Sequence, residues 1–138
     1  MKYYAREDNK WQLKETAEPI DLPGFEEYNF FICSLEDAEY VSSGTDYEES
    51  GYTKKVVYWA IFEAISGRRI CTSKAITKEE AKIFATKELE KHGKEETNKY
   101  IKEGIMDYGI SPGYFEMIMK KTNIKNKEYL FLDIQGEK

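Results

Sequence analysis

The chain is short of the residues on which much enzyme chemistry depends: among 138 residues there are one histidine, two cysteines, three prolines and three arginines. A single histidine, His92, leaves a triad or a multi-histidine metal site without orienting partners nearby, so a structural or surface role is expected at the end of a helix, where the dipole favours an imidazolium. Cys33 and Cys71 each lie in an apolar, strand-like run. Two thiols make neither a disulfide framework nor a metal-binding Cys spacing, and they read as reduced core residues. No apolar run approaches the roughly 18 residues of a membrane helix. The opening Met1-Lys2-Tyr3-Tyr4-Ala5-Arg6-Glu7-Asp8 has no apolar signal core. The expectation is a soluble cytoplasmic protein with no membrane contact. Glycines at nucleotide-binding spacing and a serine nucleophile between glycines are absent too.

What is abundant is charge and tyrosine. Charged residues make up 34% and aromatics 14%, with 11 Tyr, 7 Phe and 2 Trp to supply a core. The net charge of −5 disfavours phosphate backbones and anionic membranes. It is unevenly spread: residues 1–55 carry 13 acidic against 6 basic side chains, and residues 56–138 carry 13 against 15. Eighteen lysines against three arginines, with 13 isoleucines, is the product of AT-rich coding and points to a low-G+C bacterium or one of its mobile elements.

The length fits one domain, residues 1–138. Within it the pattern predicts an acidic strand-rich part (1–75), a helical part (77–122) and a C-terminal strand (128–134). Residues 2–7 and 10–15 flank an Asp8-Asn9 turn and read as a hairpin, with Tyr4 facing Trp11. Residues 17–24, with Pro19, Pro23 and Gly24, read as an irregular connector. Strands are expected at 28–34 and 54–64, the latter returning through Ser66-Gly67 as a hairpin to 69–74. Residues 42–53 read as an exposed acidic loop. Thr77-Lys78-Glu79-Glu80 has the spacing of a capping box and should open a helix that Gly93 ends. A second helix follows over 95–108, with Thr97, Ile101, Ile105 and Tyr108 on one face and Gly109 as its stop. Ser111-Pro112 should cap a third helix reaching about residue 122. Strands, then helices, then a strand predict an α+β fold: an antiparallel sheet of about five strands with two or three helices packed on one face.

The strongest functional signal is a cluster of carboxylates, Glu36, Asp37, Glu39, Asp46, Glu48 and Glu49, interleaved with Tyr40, Tyr47 and Tyr52. Six carboxylates in 14 residues repel one another unless they stay hydrated or meet a basic partner, and tyrosines supply rigid contact area. Asp46-Tyr47-Glu48-Glu49-Ser50-Gly51 resembles the first half of a calcium loop. However, Val57 stands where the bidentate glutamate belongs, so no metal site is assigned.

These observations predict a small non-catalytic module that presents an acidic, Tyr-bearing surface to a basic protein, without cofactor. Its natural version in a mobile element is an accessory or anti-defence inhibitor. The alternative is a nucleic-acid-binding or regulatory module using Arg68, Arg69, Lys120, Lys121, Lys125 and Lys127. Against it, the turn between the second and third helices leads into Pro112-Gly113-Tyr114-Phe115-Glu116, which lacks the base-reading side chains of a recognition helix. Nucleic acid is therefore not the expected partner. A third reading is an enzyme whose cleft the fold would have to assemble, for example around His92 with Cys33 or Cys71.

Overall fold

The computed structural model describes residues 2–42 and 51–116, with side chains placed for 2–39 and 53–116. The architecture is mixed α and β with antiparallel sheets, but its strands divide into two sheets, correcting the expectation of one. Strands β1 (Tyr4–Glu7) and β2 (Lys10–Leu13) form a hairpin on their own. Asp8 and Asn9 both take positive φ, 52° and 62°, the conformation of the tight hairpin turns whose twist matches that of the strands. The two-residue turn fixes Glu7 opposite Lys10, so Trp11 faces Arg6 and Tyr4 faces Leu13; the expected Tyr4–Trp11 pair is out of register. The Arg6 guanidinium lies over the rings of both Trp11 and Tyr108, at 5.3 and 4.2 Å.

The second sheet has the order β3-β4-β5. Its edge strand β3 (Glu18–Ile20) lies in the stretch read as a connector. An edge strand is where a proline such as Pro19 is tolerated, because only one side is paired. β4 (Phe30–Ser42) and β5 (Gly51–Glu63) are longer than the sequence pattern suggested, and pair without interruption from Phe30↔Glu63 to Ser42↔Gly51. The acidic stretch therefore begins as strand and not as loop; Lys54 and Lys55 stand across from Glu39 and Ala38 and offset its charge. Residues 69–74 are not a strand. They return along β5 through the isolated bridges Phe62↔Arg69 and Trp59↔Ala75.

Alternation along β4 and β5 sends side chains to two cores. Phe30, Ile32 and Ile61 pack with Leu22, Phe25, Ala81, Ala85 and Leu89, whereas Phe31, Cys33, Leu35, Tyr58, Ala60 and Phe62 pack with Ala5 of the first hairpin. A helix covers one face, as expected; the β1–β2 hairpin covers the other, which was not. The helix is α1 (Lys78–Tyr108), whose N-cap Thr77 accepts from the Glu80 N–H at 3.1 Å. The two helices expected over 77–108 are one run with a kink at Gly93 (φ 82°, ψ 168°), a region of backbone space almost restricted to glycine. Its second half packs Ile101 and Ile105 against Ile110 and Tyr28.

Gly109 ends the helix, donating its N–H to the Ile105 carbonyl at 2.7 Å. A further helix opens at 112–116. The Ser111 hydroxyl does not cap it: Oγ is buried and makes no hydrogen bond among the described residues, while the Ser111 N–H donates to the Ile65 carbonyl at 2.8 Å. The remainder of that helix and the strand expected at 128–134 lie outside the described residues. No described helix is long and apolar enough to cross a membrane.

Candidate functional site

β4 and β5 differ along their length. The last buried pair is Leu35 opposite Tyr58, each 8% exposed. Beyond it Glu36, Asp37, Ala38 and Glu39 on β4, and Thr53, Lys54, Lys55 and Val57 on β5, are all exposed, while pairing continues for seven more residue pairs to Ser42↔Gly51. At about 3.3 Å per residue this distal arm runs for roughly 20 Å. Among the described residues no third strand pairs with it.

Of the predicted acidic side chains the arm carries Glu36, Asp37 and Glu39 among the described residues, and the structure shows how their repulsion is relieved. Glu36 pairs with Lys55 at 3.0 Å on one face. On the other face Lys74 reaches in from the 69–75 return, 2.5 Å from Asp37 and 4.0 Å from Glu39. Asp37 also accepts from the Ala38 N–H at 2.8 Å. The Lys74 hydrogen bond, then that backbone N–H, hold the Asp37 carboxyl below its usual value, and Asp37 in turn raises the Lys74 ammonium. Both groups are solvated, so this pair orders the arm more than it stabilises the fold. Tyr40 and Tyr52 stand on β4 and β5, in register with Thr53 and Val41. Asp46, Tyr47, Glu48 and Glu49, and with them the calcium-like half-loop, lie outside the described residues.

Of the basic alternative, Arg68 and Arg69 are engaged internally. Arg68 lies 4.1 Å over the Tyr100 ring and donates to the Tyr100 carbonyl at 2.9 Å. Arg69 donates to the carbonyls of Cys71 (2.7 Å) and Ser73 (3.5 Å). Lys120, Lys121, Lys125 and Lys127 lie outside the described residues.

The structure adds a feature that the sequence reading did not assemble: a groove of about 530 Å³ between residues 69–73 and α1, lined by Arg69, Cys71, Glu88, His92, Glu96 and Tyr100 among others. His92 bonds Glu88 through Nε2 at 2.9 Å and Glu96 through Nδ1 at 3.1 Å. Those contacts, with Glu88 the larger, raise the imidazole above its usual 6.5. A ring donating both N–H groups has no lone pair left to serve as a base or a metal ligand. Cys71 and Cys33 are both free thiols. Burial pushes the Cys33 thiol up to about 12, so it is not a nucleophile near neutrality. Among the described residues no group of three or more His, Cys, Asp or Glu is arranged to hold a metal ion.

One more ionisable group was overlooked because it closes the most hydrophobic run of the chain. Glu63 is 1% exposed and accepts from the Ser66 N–H and hydroxyl, both at 2.7 Å, and from the Ile65 N–H at 3.1 Å. It staples the turn onto which the other layers dock: the Gly67 carbonyl accepts from the Arg6 N–H of β1, and Arg68 meets α1. Desolvation raises its pKa, with the three hydrogen bonds opposing.

No family model matches the chain, and no curated protein or solved structure matches it either.

Proposed function

We propose that this protein is a non-catalytic binding module whose contact element is the distal arm of β4 and β5, presented to a basic surface on another protein. The observation that carries this reading is the arm itself. Two-stranded ribbons without a third strand or a packed face are marginal in water, and this one extends well past the last buried pair, with its described side chains exposed apart from half-buried Val56. Its charge gives it a partner class: residues 36–57 hold six carboxylates against two lysines. Such a surface accelerates association with a basic partner and selects against acidic ones. In this reading the protein works in the cytoplasm with its thiols reduced. Its narrower form is an accessory or anti-defence inhibitor of a mobile element, occupying a nucleic-acid site on its target by charge mimicry; the AT-rich coding signature and the acidic arm support that form.

The test is affinity capture with the tagged full chain from nuclease-treated bacterial lysate at low and high salt. One stoichiometric protein partner, released as ionic strength rises and lost when Glu36, Asp37 and Glu39 are all changed to lysine, is the expected result. Capture that is insensitive both to salt and to the triple reversal would overturn the reading. Retention of DNA or RNA by the wild-type chain would move the assignment to the basic alternative.

A further inference from the structure

α1 is two helical segments meeting at Gly93, and the second is held both by residues outside the helix and by contacts across the kink. The Tyr28 hydroxyl donates to Asn98 Oδ1 at 2.5 Å and Lys94 pairs with Glu27 at 2.7 Å, fixing the second segment to residues 27–28, while the Thr97 hydroxyl, at the groove, donates to the Gly93 carbonyl at 2.8 Å. The Glu27 carboxyl lies below its usual value and the Lys94 ammonium above its own, so this pair stays ionised through neutrality. The ionisable tie across the kink is the His92 ring, bonded to Glu88 in the first segment and to Glu96 in the second. The charged and titratable groups that line the groove with it are Arg69 and Cys71 from the facing return, and Lys99, Tyr100 and Glu103 from α1.

We propose that His92 is a proton-operated clasp across the Gly93 kink: protonated, it joins the two segments of α1 and fixes the groove wall facing Arg69–Ser73, and neutral, it releases one of them. The reason is the inventory of the ring. An imidazolium has two N–H donors and satisfies both carboxylates; a neutral imidazole keeps one, and turns a lone pair toward the carboxylate it abandons. The remaining N–H stays on Nε2 and donates to Glu88, the shorter contact and one within a single segment, so the contact across the kink to Glu96 is the one lost. Because the folded pKa is raised, the contribution is fully present below the ordinary value of 6.5 and disappears as pH rises through the raised one.

The test is an NMR titration of the ¹⁵N-labelled full chain between about pH 6 and 9. The single imidazole is followed together with amide hydrogen-exchange protection, corrected for intrinsic base catalysis, in residues 79–91 and 94–103. Protection in 94–103 is expected to fall about twofold in step with the imidazole midpoint, the scale of a surface pair at helical spacing, while 79–91 stays level. His92→Gln should abolish the step. Glu96→Ala should abolish it as well while leaving a titrating ring held by Glu88. Protection in 94–103 that stays level through the wild-type midpoint, or a step that survives in His92→Gln, would overturn the clasp.

Discussion

The proximal and distal halves of the β4–β5 hairpin share one uninterrupted register and have opposite fates. From Phe30 to Leu35 the ribbon is sandwiched, with α1 on one face and the β1–β2 hairpin on the other. From Glu36 outward the described side chains are exposed, except for half-buried Val56. The backbone is equally well paired in both halves, so hydrogen bonding does not distinguish them; side-chain chemistry does. Phe31, Cys33 and Leu35 on one face give way to Asp37 and Glu39 on the same face, and no covering element can profit from burying carboxylates. Pairing thus sets how far the ribbon runs, and apolar alternation sets how far the core follows it.

The widest separation between the halves should appear on truncating one core ring. Phe31 is fully buried and stacked on Phe62, with ring centroids 5.4 Å apart. Phe31→Ala is expected to lower the unfolding free energy by about 3–5 kcal/mol in urea denaturation. A loss of stability as large from a truncation in the distal arm would abolish the distinction between the halves. Next in size is Gly93→Ala: there is open space for a methyl group, but φ is 82°, so the cost is conformational, about 1–3 kcal/mol by thermal or urea unfolding. It should fall on α1, leaving the arm's amide exchange unchanged.

A subtler effect separates two hydrogen-bonded carboxylates, one in each half. Buried Glu63, at the proximal end of β5, has a raised pKa. Its contribution to stability is therefore complete below the ordinary value of 4.5 and is lost as pH rises through the folded value. Solvated Asp37, in the arm, has a lowered pKa and shows the opposite sign, its small contribution being lost as pH falls through the folded value. Glu63→Gln should remove the part of the pH–stability profile that declines with rising pH, and Asp37→Asn should barely alter the curve. Smallest of all, Glu39→Ala should change stability by no more than about 0.5 kcal/mol, because it removes one exposed side chain 4.0 Å from Lys74.

Local rules made much of this architecture legible in the sequence. Asp8-Asn9 announced its turn, Thr77 its cap, Gly93 and Gly109 the breaks in the helix, and Thr97, Ile101 and Ile105 the buried face. What local rules missed was decided at a distance. Pro19 joins a strand because β4 offers it an edge, Lys74 arrives at Asp37 from 37 residues away, and the β1–β2 hairpin closes a face that helices were expected to leave open. The acidic cluster was visible as composition, but its split between two faces of a ribbon was not. The Glu88-His92-Glu96 spacing could have been read as one helical stripe; the kink between its second and third members gives that stripe its consequence.

The binding role of the distal arm is tested by one paired measurement: thermal midpoint and partner capture for the chain in which Glu36, Asp37 and Glu39 are all lysine. An unfolding midpoint within a few degrees of the wild type, together with loss of the salt-sensitive partner, is the predicted result. Capture that persists with the fold intact would contradict the claim that the distal half of the hairpin is the binding surface.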